Sequence, residues 1–299
     1  MIVILAGLLV VFGSVLAGFM IEEGHPLVLA QPAELLIIIG AGGGTVLVAN
    51  PRRSLQNLAA ALGSLRRPPA VSRQFYLELL KLLYVTFAVS QRNGIAELER
   101  HMEDPRQSEI FSENPVLAND PETLSFLCDS YRIATAAGLD AGEVEKLLAL
   151  DLEVQRGGRN QPVNVLMHLA DSLPGLGIVA AVLGVVVTMQ ALGGPASEVG
   201  HKVAAALVGT FLGILLCYGL VAPLATHLQQ INRTRTEILH VIRAGLLAFF
   251  RGCSPIVAAE FARRAVPLDL RPSFELTETE LRRNTHVPSV SREVMAQAS

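Results

Sequence analysis

DSLPGLGIVAAVLGVVVTMQ, residues Asp171 to Gln190, begins with a carboxylate, places Pro174 three residues on and is almost wholly apolar thereafter. No charged residue occurs from Ser172 to Ser197, more than the ~20 residues a helix needs to cross the hydrocarbon core. The run therefore predicts a membrane-spanning helix. Its small residues, among them Gly175, Gly177, Ala180, Ala181 and Gly184, recur at spacings that let another backbone come close. A second run, Val203 to Thr226, follows with Gly209, Gly213 and Gly219 on it and Pro223 near its end. Two adjacent helices, each with one proline, form the candidate working core, and Gly177, Gly184, Gly209 and Gly213 are its candidate packing positions.

Composition agrees with a membrane chain. Of 299 residues, 51% are hydrophobic and 17% charged, and the mean hydropathy is +0.44, too apolar for an ordinary soluble protein. Three cysteines, Cys128, Cys217 and Cys253, show no CxxC spacing and read as free thiols. Toward the N-terminus, Ile2 to Ile21 is apolar, with no Lys or Arg before it and no Ala-x-Ala-like site after it, so a retained first span is expected rather than a cleaved leader. Gln31-Pro32-Ala33-Glu34 opens a shorter second span over Leu35 to Ala49, with proline and an acid where a helix start favours them.

The four spans imply an orientation. Every Lys and Arg except Lys202 lies between Arg52 and Arg159 or after Arg233, and the basic side is expected to face the cytoplasm with both termini. The fold class read from this pattern is all-α: a polytopic membrane protein with four transmembrane helices and a helical cytoplasmic domain. Its expected divisions are 1–49 (helices one and two), 50–162 (cytoplasmic helical domain), 163–228 (helices three and four) and 229–299 (a cytoplasmic helix and a mobile tail).

Within the insertion, Leu79, Leu80, Leu83 and Phe87 recur at helical intervals, and Asp120-Pro121-Glu122 reads as an N-cap, a proline at N1 and a first-turn acid. That helix is expected to close at Gly138. A further amphipathic helix is expected from Ala141 toward Gln155, with Gly157-Gly158 loosening the chain before it re-enters the membrane. Ile238 to Phe250 should continue the fourth helix, and the polar stretch from Glu275 onward is expected to be a mobile tail.

No enzyme chemistry, cofactor site or metal site emerges. Gly40-Ala41-Gly42-Gly43-Gly44 lies inside an apolar span without the lysine and strand context of a phosphate loop, so helix packing is the expected role. The seven histidines lack ligand spacing, and the cytoplasmic arginines are interleaved with acids, which argues against nucleic acid. Ion passage needs an ionisable or oxygen-bearing group inside the bilayer. Glu34 is expected at the outer mouth of helix two and Asp171 near the inner mouth of helix three, leaving the span centres neutral. A partner helix is then expected to supply the central carboxylate.

QPAELLI at Gln31 to Ile37, LERHMEDPRQSEIF at Leu98 to Phe111, DSLPGLGIVAAVLGVV at Asp171 to Val186, VGTFLGILLCYG at Val208 to Gly219 and RPSF at Arg271 to Phe274 resemble, in this order, the MotA family of flagellar stator subunits. The wider group with ExbB and TolQ is similar only over the two proline-bearing helices, so an envelope-transport energiser of that kind is the alternative. The resemblance implies a homopentamer in the inner membrane, around a dimeric MotB-like, single-span, peptidoglycan-binding partner that brings an aspartate. It also implies a FliG-like rotor protein as the torque partner.

The resemblance assigns Pro174 and Pro223 to ion-linked bending and Thr210 to the channel face. Ala181 aligns with a threonine of sodium-driven members and offers no oxygen, so a proton is the expected ion. Glu99 matches a rotor-contact acid. The family's rotor-contact arginine aligns with Gln91, and Arg92, Arg100 and Arg106 are the bases available to replace it.

Overall fold

The computed structural model describes residues 2–66, 68–105, 108–112, 120–136, 139–190, 193 and 195–283. The chain divides into two compact units, one of residues 1–68 and 157–232, the other of 69–156 and 233–299. All regular structure among the described residues is helical.

The first unit contains α1 (Ile2–Ile21), a short 3-10 turn (Pro26–Leu29), α2 (Pro32–Ala49) and α3 (Arg52–Ser64). It also holds the later part of α8 (Ala141–Met189), α9 (Ala196–Leu216), a π turn (Cys217–Val221) and the start of α10 (Ala222–Phe250). Among the described residues, four helical stretches are long and apolar enough to cross a membrane: Ile2–Ile21, Pro26–Ala49, Ala141–Met189 and Ala196–Phe250. Pro32 stands at the start of α2, and the helix stops at Asn50, whose extended backbone is what the following Pro51 favours. Ile38, Ala170, Leu173, Ala180 and Cys217 pack together between these helices, and α1 buries none of its side chains, leaving its apolar surface for lipid or a neighbour.

The helix expected to run from Ala141 toward Gln155 does not loosen at Gly157-Gly158: α8 is continuous from Ala141 to Met189 through both glycines, Pro162 and Pro174. Each glycine costs a helix roughly 1 kcal/mol, but the flanking turns are anchored by burial. Val144, Leu148 and Leu152 enter one core, and Val163 and Leu166 enter another. Near Pro162, which has no N–H to offer the preceding turn, Asn232 Nδ2 donates to the Arg159 carbonyl at 2.6 Å.

The second unit is built on α4 (Arg73–Asn93). Its Tyr76, Leu79, Leu80, Leu83 and Phe87 are all fully buried. Around them stand α5 (Ile95–Glu103), α6 (Glu109–Ser112), α7 (Pro121–Ala136), the first part of α8, the end of α10, α11 (Pro255–Ala265) and α12 (Phe274–Arg283). Leu98, Met102, Leu127, Tyr131, Ile242 and Ala262 join this core, and Phe87 stacks on Phe249 with ring centroids 4.7 Å apart. Asp120 caps α7, accepting from Thr123 N at 3.2 Å and from Thr123 Oγ1 at 2.7 Å. Gly138, the expected end of that helix, lies outside the described residues. Residues 274–283 form a docked helix where a mobile tail was expected. Thr277 and Leu281 are buried, and Lys81 Nζ holds Glu280 at 2.7 Å.

Candidate functional site

The α8–α9 contact is made through glycine. A Cβ on Gly177 would lie 2.8 Å from the Gly209 carbonyl oxygen, and one on Gly213 would lie 2.6 Å from that of Leu173. A Cβ on Gly184 would lie 2.7 Å from Ala206 Cβ. Real Cβ atoms do not approach so closely, so the four glycines set the distance between the helices. Of the glycines at 40–44, only Gly42 is packed, its Cβ position 3.1 Å from Leu169 Cδ1.

Pro174 within α8 and the π turn that follows α9 both modify the backbone near this contact. Pro174 is half-buried inside α8 and cannot bond to the Ala170 carbonyl. Pro223, which is exposed, follows a π turn closed by Ala222 N donating to the Cys217 carbonyl. In an α-helix its ring would collide with the carbonyl of Gly219, and the wider turn opens the backbone there.

Thr210 and Ala181 are half-buried on α9 and α8, and the Ala181 amide nitrogen lies 3.2 Å from where a Gly209 Cβ would be. Threonines in helices commonly bond back to the preceding turn. Thr188 Oγ1 does so to the Gly184 carbonyl at 2.8 Å and Thr226 Oγ1 to that of Ala222 at 3.0 Å. No hydrogen bond of the Thr210 hydroxyl is found among the described residues. Asp171 is exposed and lies ten residues before Ala181 on α8, about 15 Å along the axis.

Glu34, expected at the outer mouth of helix two, lies in the first turn of α2 and is buried. It is 7% exposed and reaches between α8 and α9, where a Cβ on Gly209 would lie 2.6 Å from its Oε2 and one on Gly184 would lie 3.2 Å from its Oε1. Among the described residues Oε2 is enclosed without a hydrogen-bond partner. The sequence shows an acid in the first turn of a span but not the two distant glycines that receive it.

In the second unit, Glu99 is half-buried on α5, with Thr135 Oγ1 3.5 Å from its Oε1. Arg100 is exposed beside it, and Arg92 is exposed in the last turn of α4, before Gly94 reverses the chain at φ +89°. Arg106 lies outside the described residues. Arg271, of the RPSF stretch, ties off the end of α11 by donating to the carbonyls of Arg264 at 2.6 Å and Val266 at 2.9 Å. Arg263 grips Glu260 at 2.6 and 2.8 Å and donates to the Pro272 carbonyl at 2.9 Å. Its guanidinium holds the Glu260 carboxyl below the usual range, against the opposing effect of burial and with help from Arg264.

Membrane-crossing helices in contact through glycine, with a proline inside one and a π turn following the other, and with an uncommitted hydroxyl beside the contact, suit a channel subunit. Residues 121–240 match the MotA/TolQ/ExbB proton channel family, and residues 5–94 match the family described as motility protein A N-terminal. Motility protein A of Salmonella typhimurium is 39% identical over 279 residues, spanning 93% of this chain and 95% of its own. The fold also matches the C. jejuni MotAB structure, with TM-score 0.74 at 17% identity over 91% of this chain and 98% of that one. The flagellar MotAB stator complex from Bacillus subtilis gives TM-score 0.66 at 24% identity, over 86% and 92%. The chain belongs to the motility protein A family of flagellar stator subunits, multi-pass proteins of the inner membrane.

Proposed function

We propose that this chain forms a pentameric ring around a dimeric MotB-like partner and passes protons along the α8–α9 pair to turn a flagellar rotor. Both termini face the cytoplasm, following the distribution of Lys and Arg. The partner's helix brings a carboxylate and its outer domain grips peptidoglycan. The chain acts as channel and torque subunit rather than as a catalyst.

The observation that carries the reading is the uncommitted Thr210 hydroxyl on α9, at a helix contact flanked by Pro174 within α8 and by the π turn that follows α9. A carboxylate arriving beside it would find a hydrogen-bonding group and a backbone able to move. Pro174 and the π turn before Pro223 let the helices bend as that carboxylate gains and loses its proton. Ala181 supplies no oxygen, and a dehydrated sodium ion needs several. Gly177, Gly184, Gly209 and Gly213 hold the pair close, and Asp171 stands toward the inner end. The second unit meets a FliG-like rotor surface through Glu99, with Arg92, Arg100 and Arg106 as its bases. The match of residues 5–94 to the motility protein A N-terminal family favours this reading over an ExbB- or TolQ-type energiser. Swimming speed in sodium-free medium at fixed pH should be unchanged and should collapse with a protonophore. Motility that needs sodium and survives the protonophore would reject the proton assignment.

A further inference from the structure

We propose that Glu34 is a proton-holding site of this chain's own, the first group to take up the ion on the outer side before it reaches the Thr210 region. The inference rests on the proton reading and orientation above. Glu34 stands two residues after Pro32, where α2 begins, so its backbone lies in the first turn of the helix. Its carboxyl instead reaches inward, to Gly184, five residues before the end of α8, and to Gly209, thirteen residues into α9. At 1.5 Å per residue those points lie about 8 and 20 Å inside the helix ends. The side chain thus links the outer end of α2 to the turn that carries Thr210.

The surroundings are built around the carboxyl. Any side chain at 209 would fall 2.6 Å from Oε2, so glycine there is what leaves room. A carboxyl oxygen enclosed without a donor cannot cheaply hold a bare negative charge, yet the first-turn amides of α2 tolerate an anion nearby. Such a group is suited to carrying a proton and passing it on. Among the described residues no ion pair reaches Glu34 from the elements packed there. α8 has no charged residue after Asp171, and the titratable groups of α9 are Glu198, His201 and Lys202, all before Ala206, with Glu198 and Lys202 paired at 3.2 Å. The α1–α2 turn contributes Glu22, Glu23 and His25, all in the stretch preceding α2.

The test uses the full chain purified with its single-span partner, and cells carrying the same variants. Infrared spectra at neutral pH should show the carbonyl stretch of a protonated carboxyl that disappears in Glu34→Gln. The same variant should co-purify with the partner but turn the motor at least tenfold more slowly, and Glu34→Asp should give a displaced band and an intermediate speed. Absence of the band from the wild type, or wild-type speed in assembled Glu34→Gln, overturns the proposal. Should Glu34→Gln fail to assemble, Glu34→Asp decides: an unmoved band with unchanged speed overturns it, and a displaced band with reduced speed supports it. A motor that runs on sodium alone rejects the proton reading while leaving the band in place, whereas a proton-driven motor indifferent to Glu34→Gln rejects only the role given to Glu34.

Discussion

At the scale of single residues, Gly213 is the least forgiving position of the helix pair, because a Cβ there would lie 2.6 Å from a backbone oxygen that cannot swing away. Gly213→Ala should destabilise the complex by about 1–3 kcal/mol, the usual cost of overpacking, read as a lower melting temperature of the purified assembly. Gly213→Leu should abolish assembly. Gly175, with open space around its Cβ position, is the control and should accept alanine without loss. The Glu260–Arg263–Arg264 cluster predicts a pH dependence. The Glu260 carboxyl is held low in the folded chain, so its contribution is complete above the ordinary carboxylate pKa and is lost as pH falls through the folded value. The melting temperature of the second unit should therefore fall only once the pH drops below the ordinary carboxylate range, and Glu260→Gln should flatten that fall. Glycines that permit close approach are legible in a sequence because their chemistry is their smallness. The Glu34 cradle was not, since it needs Gly184 and Gly209, which are 25 residues apart, brought to one side chain.

Among the elements, the spans were legible because an uncharged run of sufficient length has few other uses, and α4 was legible from the 3.6 period of its buried face. The continuity of α8 was not. Local propensity favours a break at Gly157-Gly158, and the packing of Val144, Leu148, Leu152, Val163 and Leu166 outweighs it. Residues 274–283 misled for a similar reason, since their polarity conceals the two buried positions Thr277 and Leu281 and the bridge from Lys81 to Glu280. Lys81→Met should release α12, seen as faster amide exchange over residues 274–283 with α4 unaffected. Pro174→Ala restores an N–H for the Ala170 carbonyl and stiffens α8. The complex should keep its composition while torque at high load falls several-fold, and full torque would remove the proline from the coupling.

For the whole molecule, the division of labour lies in which unit carries which charge. The first unit concentrates apolar helices, and among the described residues the second carries most of the ion pairs, including Lys81–Glu280, Arg235–Glu122 and Arg251–Glu145. That asymmetry was visible in the sequence as an uneven distribution of Lys and Arg. The function was legible through the family motifs, whereas the bases proposed to face the rotor were left open, because Arg92 is one residue from the family position and a helix turns by about 100° per residue. If Glu99 presses on a basic rotor surface, Glu99→Lys should impair swimming while the stator still assembles, and an acid introduced on the rotor should restore part of it. The contact with Thr135 offers a different outcome: a Glu99→Lys defect that no rotor reversal relieves, accompanied by a lower melting temperature, would make Glu99 a packing residue.

The π turn at Cys217–Val221 holds one residue more than the α turn it replaces. Losing that residue would rotate everything that follows along the helix by about 100°. Pro223, Leu228 and the whole buried face of α10 would then point elsewhere. Descendants of this chain can exchange residues between Cys217 and Pro223, but a change in their number is closed to them.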